Sequence, residues 1–214
     1  MQRKTINGVR HYVRDDNVDG PAYPSVTTVL SQKSAEGIKA WRKRVGAEKA
    51  QAITTKAARR GTKTHLLIEN YILGEQPLTE QDDKIMPEDI ELFKKLKIAA
   101  DKSIDNLRSV EGQMWSDYLK VAGTVDLIAD YDGRLAVIDW KTSAREKKKE
   151  YVEGYFMQAA AYAVMYEEHT GTPIDTLVVI IAHDESHEPQ IFVEKRDDWI
   201  YKFIEYRNQY GNKA

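Results

Sequence analysis

Gly123-Thr-Val-Asp126-Leu-Ile-Ala-Asp-Tyr-Asp-Gly-Arg-Leu-Ala-Val-Ile-Asp139-Trp-Lys141 is the stretch that decides the fold. Asp132-Gly133 between two apolar runs is a two-residue hairpin signal, because both positions of such a turn need positive φ. With that loop, Tyr131 faces Arg134, Asp126 falls opposite Asp139, and Thr124 falls opposite Lys141. Side chains alternate along a strand, so Asp139 and Lys141 share a face. Facing carboxylates, about 5 Å apart at Cβ, destabilise a sheet. At an effective dielectric of about 20 they repel by on the order of 3 kcal/mol. A divalent cation between them converts that repulsion into binding energy. Solvated aspartates on an edge strand are the alternative. Val125, Leu127, Ile128 and Ala129 on one strand and Leu135, Ala136, Val137 and Ile138 on the other argue for central strands covered on both faces.

Working outward, Val110–Tyr118, Val121–Tyr131 and Arg134–Thr142 read as an antiparallel meander. Tyr151–Thr170 reads as a proline-free helix, Thr176–His183 as an aliphatic strand buried on both faces, Gln190–Val193 as a short strand and Asp197–Tyr210 as a closing helix. Upstream, Gly8–Arg14 reads as a strand and Pro24-Ser25 opens a helix with Ser25 as N-cap. Glu36–Val45 is a basic helix, and Ala47–Leu73 a long helical pattern ended by Gly74. Thr79–Pro87 is an acidic loop and Glu88–Leu107 a helix. The fold class is α/β: a mixed central sheet, an antiparallel meander plus a crossover strand, flanked by helices. One domain over residues 1–214 is expected, mainly helical through 107 and sheet-based from 108.

The chain has 214 residues, of which 42% are hydrophobic, enough for one core. No cysteine is present, which excludes disulfides, iron–sulfur clusters and zinc–thiolate sites. Met1–Asn7 lacks an apolar leader, and the longest aliphatic run, Leu177–Ala182, is too short to span a membrane. A soluble protein of the bacterial or phage-infected cytoplasm is expected. Net charge is only −2, but the charge is polarised along the chain. Lys39–Lys63 holds nine basic residues and one acid, and Glu75–Asp105 nine acids and five lysines. The basic stretch, with Arg59, Arg60 and Lys63 nearest the rest of the site, reads as a phosphate-binding surface; a solvated helix face is the bland alternative. Arg145–Lys149 adds four basic residues just after Lys141.

Further candidates lie on the helices. Gly61 and His65 are spaced i, i+4, so the imidazole points over a bare helical surface, where it can ligate a metal; a packed histidine that stabilises the helix is the alternative. The glycine costs about 1 kcal/mol relative to alanine and is tolerated where something approaches closely. Glu69, one turn on, reads as solvent-facing. Gln158 and Tyr162, again i, i+4 and separated by alanines, suit close packing against a sheet end or a nucleic-acid backbone. Glu111 is a further acid whose facing the sequence leaves open.

Taken in order, Gly61/His65, Gly123-x-x-Asp126, Asp139-Trp-Lys141 and Gln158-x-x-x-Tyr162 resemble the RecB-type exonuclease branch of the PD-(D/E)XK nuclease superfamily. Pro24-Ser-Val-Thr-Thr-Val-Leu30 and Trp41 are similar to phage members of that group. The resemblance runs from about Pro24 to Val193, and the cysteines of iron–sulfur members are absent. It implies a restriction-endonuclease-like core with a helical N-terminal extension and a cofactor of Mg²⁺ or Mn²⁺. The implied metal ligands are His65, Asp126, Asp139 and the carbonyl of Trp140. Lys141 would position or activate the attacking water, with Asp126, Asp139 and Lys141 forming the catalytic set. Gln158 and Tyr162 would support the DNA strand.

The activity implied is metal-dependent exonucleolytic hydrolysis of DNA, at single strands or ends, in replication and repair and with replication or recombination proteins as partners. A structure-specific endonuclease and a nucleic-acid-binding module without turnover remain open. A phosphohydrolase of small phosphoesters is less suited to the long basic stretch, which can contact many phosphates.

Overall fold

A computed structural model describes residues 1–76, 78 and 84–211. Those residues form β1 (Gln2–Ile6), β2 (Val9–Val13), β3 (Tyr23–Pro24), α1 (Val26–Val45), α2 (Ala47–Ile72), α3 (Pro87–Ser103), β4 (Ile104–Ser116), β5 (Val121–Tyr131), β6 (Arg134–Ser143), α4 (Lys149–Thr170), β7 (Thr176–His183), β8 (Gln190–Lys195) and α5 (Asp197–Gly211). Residues 79–83 of the expected acidic loop lie outside the described residues.

The central sheet has the order β4-β5-β6-β7-β8, antiparallel except for the β6–β7 pair. This is the expected mixed sheet, with α4 as the crossover between two parallel neighbours. The β5–β6 register runs from Tyr131↔Arg134 to Leu127↔Ile138, as the Asp132-Gly133 turn requires, with both turn residues at positive φ. Helices cover both faces. On one side α1, α4 and α5 bury Val125, Val137, Phe156, Leu177 and Phe203. On the other, α2 and α3 bury Ile68, Leu96, Leu127, Ile138 and Val178. Consecutive residues of β7 alternate between the two cores, which is why that strand is aliphatic throughout.

Three boundaries differ from expectation. The helix that starts after Ser25 and the basic 36–45 segment are one helix, α1; Ser25 Oγ accepts its cap bond from Thr28 N–H at 3.0 Å. The helix expected to reach Leu107 stops at Ser103, because Ile104 and Asp105 pair with Tyr131 and Asp130 and extend the sheet. The N-terminal part also carries its own antiparallel sheet, β1-β2-β3. It packs on the main sheet through Tyr12, Tyr23 and Ala122, and Ser25 bridges to Ala122. No described helix is long and apolar enough to cross a membrane.

Candidate active site

The regular ladder fails where the acidic residues sit. Pairing of β4 with β5 passes from Val110↔Leu127 to Gly112↔Val125 and skips the Glu111/Asp126 level. Glu111 holds φ of 47°, a left-handed conformation that a non-glycine residue rarely adopts. Alternation slips at the same level. Val125 belongs to the α4-side core and Leu127 to the α2-side core, although they are two residues apart. The kink frees both carboxylates from the sheet faces and turns them toward one point. Strain of this kind persists where surrounding structure over-determines it, often at functional sites.

Asp126 does not complete a backbone pair with Asp139. Its Oδ2 instead accepts the Trp140 N–H at 2.9 Å, taking the place of a ladder carbonyl. Asp139 comes from β6, is 3% exposed, and lies beside Lys141 as strand alternation requires, with Nζ–Oδ1 at 2.5 Å. The same Nζ is 4.0 Å from Asp126 Oδ2 and donates to the Trp140 carbonyl at 3.2 Å. Both aspartates thus share one ammonium. Lys141 also lies 5.1 Å from the centre of the Tyr155 ring. The second carboxylate oxygen of Asp139, Oδ2, is buried without a hydrogen-bond partner. An unpaired buried oxygen is expensive; Asp139 is joined to the nearby cluster of ligand atoms through the ammonium it shares with Asp126 and is not itself one of the clustered ligands.

That cluster is His65, Glu111 and Asp126, which each offer a ligand atom within 4.8 Å of the others. His65 Nδ1 is 3.8 Å from Asp126 Oδ2. Burial pushes the imidazole pKa below its usual value, against the pull of Asp126, which leaves the ring neutral and able to donate a lone pair. Burial, reinforced by Asp126 and Glu69, pushes the Glu111 carboxyl up to about 7. Asp139 is also raised, by burial first, against the attraction of Lys141. Burial draws Lys141 down, but Asp139 and Asp126 outweigh it and hold the ammonium above its ordinary range. Two carboxylates and one neutral imidazole around a common point are a donor set that can hold a divalent cation.

The cluster lies at one end of an open cleft of about 660 Å³. One stripe of α2, with Gly61, His65 and Glu69 at i, i+4, i+8, forms a wall; Gln158 and Tyr162 of α4 face it. Glu69, expected in solvent, therefore lines the cleft, where burial and nearby acids raise its pKa. Tyr162 is 4% exposed and packs on Gly123, where an added Cβ would meet its hydroxyl at 2.5 Å. Gly61 is not pressed by protein: a Cβ there would meet only Thr142 Oγ1, at 3.6 Å.

The basic surface takes another form than expected. Arg59 donates to both oxygens of Asp89, at 2.6 and 3.1 Å, and to Glu88 at 2.7 Å. Arg60 is 8% exposed and donates to both oxygens of Asp184. Lys56 pairs with Glu88. The acids that follow in sequence are folded back onto the bases of α2, and neither arginine presents an open fork to a phosphate. Lys63 is on the same helix; like the two arginines, it is not among the cleft-lining residues.

A family model described as the PD-(D/E)XK nuclease superfamily matches residues 31–210. The chain belongs to this superfamily. Asp139-Trp140-Lys141 has the acid-x-lysine spelling that the family description contains. The chain is 24% identical over 211 residues to mitochondrial genome maintenance exonuclease 1 of Homo sapiens, covering 89% of this chain and 60% of the human protein. The Mus musculus protein of the same name is also 24% identical, with 88% and 60% covered. This nuclease-superfamily chain thus spans about three-fifths of those relatives. A solved structure described as an exonuclease from Eubacterium rectale matches with a TM-score of 0.41 at 13% identity, covering 68% of each chain. The relatives' mitochondrial name lends no support to a bacterial or phage-infected setting.

Two neighbours of the superfamily signature were missed or left open by the sequence. Glu111 joins the ligand cluster only because its backbone kinks; the adjacent Gly112 was the available signal. Tyr155 meets Lys141 from the start of α4, with no local motif to mark it.

Proposed function

We infer that the protein is a metal-dependent deoxyribonuclease that removes nucleotides from single-stranded DNA or DNA ends. The observation that carries this reading is the convergence of His65, Glu111 and Asp126 on one point, with the Lys141 ammonium 4.0 Å from Asp126 and paired with the buried Asp139. His65, Glu111, Asp126 and Asp139 would hold Mg²⁺ or Mn²⁺, with the Trp140 carbonyl beside them. When bound, such an ion neutralises phosphate charge and stabilises the charge that builds up during in-line attack.

The chain's own groups do the rest. The neutral His65 ring offers nitrogen without adding positive charge. Lys141, kept protonated by two carboxylates, sets a fixed positive charge beside the scissile phosphate and orients the attacking water through its remaining N–H. Asp126 fixes the edge of the site by holding Trp140 N–H. Gln158 and Tyr162 receive the strand from α4, and Gly61 leaves the opposing helix wall bare for it. Phosphate contacts by Arg59 and Arg60 would require displacing Asp89 or Asp184, so in this reading the two arginines brace α2 and the strand is met by other groups. The names of the relatives support DNA as the polymer.

The test is digestion of end-labelled single- and double-stranded oligonucleotides, with Mg²⁺, with Mn²⁺ and with EDTA, resolved on a denaturing gel. Stepwise shortening that EDTA stops is the expected result. A folded protein that leaves every substrate intact with either metal would overturn the reading.

A further inference from the structure

The cleft has two chemically opposite ends, and the metal cluster accounts for only one. At the other end stand Arg10 and Tyr12 of β2, with Ser25 and Thr27 at the start of α1. Arg10 Nη2 donates to Thr27 Oγ1 at 2.5 Å and to Ser25 Oγ at 3.2 Å. Arg10 and Lys141 meet different company. Lys141 is held by two aspartates, whereas Arg10 meets neutral hydroxyls and the Tyr12 ring, 5.9 Å from its guanidinium. Among the described residues no carboxylate lies within 4.0 Å of the Arg10 guanidinium, while Glu69, Glu111 and Asp126 line the same cleft further on. A cation left with only hydroxyls for company in a concave site is poised for an anion.

The mounting of Arg10 is as specific as its surroundings. Its carbonyl accepts Ser25 N–H at 3.2 Å, and Ser25 bridges to Ala122, the residue before Gly123. The β1-β2-β3 sheet thereby fixes Arg10 to the same strand that carries Asp126. The positive end of the 20-residue helix α1 opens at the same place, adding to the field there.

Building on the nuclease reading, we propose that Arg10, with the Thr27 hydroxyl, binds a second phosphate of the DNA strand, one that stays intact while its neighbour is hydrolysed at the metal end. The Pro24–Leu30 segment then has a function: it presents Thr27 and the start of α1 to the strand. The planar fork of arginine matches two phosphate oxygens, which lysine cannot reproduce. The subsite sets how far the strand enters the cleft and so which bond reaches the metal end.

The test neutralises one phosphate at a time in a short single-stranded oligonucleotide by methylphosphonate substitution. Binding is measured with Ca²⁺ and cleavage with Mn²⁺. In the wild-type protein, two separate positions should be sensitive: the scissile phosphate and one other. In Arg10→Ala, affinity should fall about 10–100-fold, and the second position should become indifferent to neutralisation while the first stays sensitive. Arg10→Lys should recover the affinity in part and blur the cleavage position. Calorimetric Mn²⁺ binding should be unchanged in both variants. A wild-type scan with only one sensitive position, or an Arg10→Ala protein that keeps both, would overturn the subsite alone. No metal-dependent cleavage or binding by the wild-type protein would overturn the nuclease reading, and the subsite with it.

Discussion

Replacing Glu111 by glutamine removes one negative charge from a cluster that the metal-free fold holds against repulsion. The ligand atoms of His65, Glu111 and Asp126 lie within 4.8 Å of each other. Two unit charges at that separation repel by about 3.5 kcal/mol at an effective dielectric of about 20. The raised pKa gives a second measure. A carboxyl moved from 4.5 to about 7 is penalised by up to about 3.4 kcal/mol when ionised. Glu111 is only half-buried, so screening by water reduces either figure to about 1–1.5 kcal/mol. Since the folded-state pKa lies above the unfolded one, the folded protein keeps a proton that the unfolded chain releases between pH 4.5 and about 7. The penalty is absent below that window and complete above it. At pH 8 and without metal, Glu111→Gln should therefore raise the melting temperature by roughly 2–6 °C for a chain of this size. At pH 5 most of that gain should be gone. Millimolar Mn²⁺ should stabilise the wild-type protein more than the variant and reverse their order, and cleavage should fall by about 100-fold or more. Thermal melts at the two pH values, with Mn²⁺ and with EDTA, check this. A metal-free variant that is less stable at pH 8, or equally stabilised at both pH values, would refute the placement of Glu111 among repelling ligands.

Other substitutions read other parts of the site. Asp126→Asn, Asp139→Asn and Lys141→Met should each abolish cleavage on a denaturing gel while circular dichroism shows a folded chain. Gly123→Ala should destabilise by about 1–3 kcal/mol through its clash with the Tyr162 hydroxyl, and Tyr162→Phe in the same chain should recover part of that loss in denaturant melts. Gly61→Ala has room and should stabilise α2 by about 1 kcal/mol, while slowing cleavage if the strand passes over that surface. Arg59→Ala strands the fully buried Asp89 and should cost about 3 kcal/mol, measured by urea unfolding.

What the sequence revealed and what it hid follow from the range of the interactions involved. The β5–β6 hairpin is local, and Asp132-Gly133 sets its register without help from the rest of the chain. The same chemistry at Asn7-Gly8 joins β1 to β2, yet every residue of β1 is exposed, so no alternation flagged a strand there. At Ser103–Ile104 an apolar pattern with helical spacing continues into the next residues, but pairing with Tyr131 takes over. That competition is tertiary and leaves no local trace. Glu111 was ambiguous for a related reason: its direction depends on a left-handed backbone that strand periodicity cannot represent. Arg59 and Arg60 looked like open cations because their partners, Asp89 and Asp184, are 30 and 124 residues away.

That last point changes how the charge of this molecule works. Part of the basic run is not an open surface. Arg59, Lys56 and Arg60 are matched by Glu88, Asp89 and Asp184, so the ion pairs brace α2 against α3 and against the end of β7. Bracing α2 has a direct consequence for the site, since the same helix carries His65 five residues beyond Arg60 on its cleft-facing stripe. A ligand set needs its side chains held to within a fraction of an ångström, and rigid elements supply that better than loops. The field that a polyanion meets comes instead from a few groups inside a concave, partly desolvated space, where each charge acts at a lower effective dielectric than on an open helix face. Among the described residues Arg10 is the cation that lines the cleft, standing among hydroxyls, while Lys141 is tied to Asp139 and lies 4.0 Å from the cleft-lining Asp126. In the proposed reading, a strand drawn in by that arrangement would be oriented by its phosphates before any base is read.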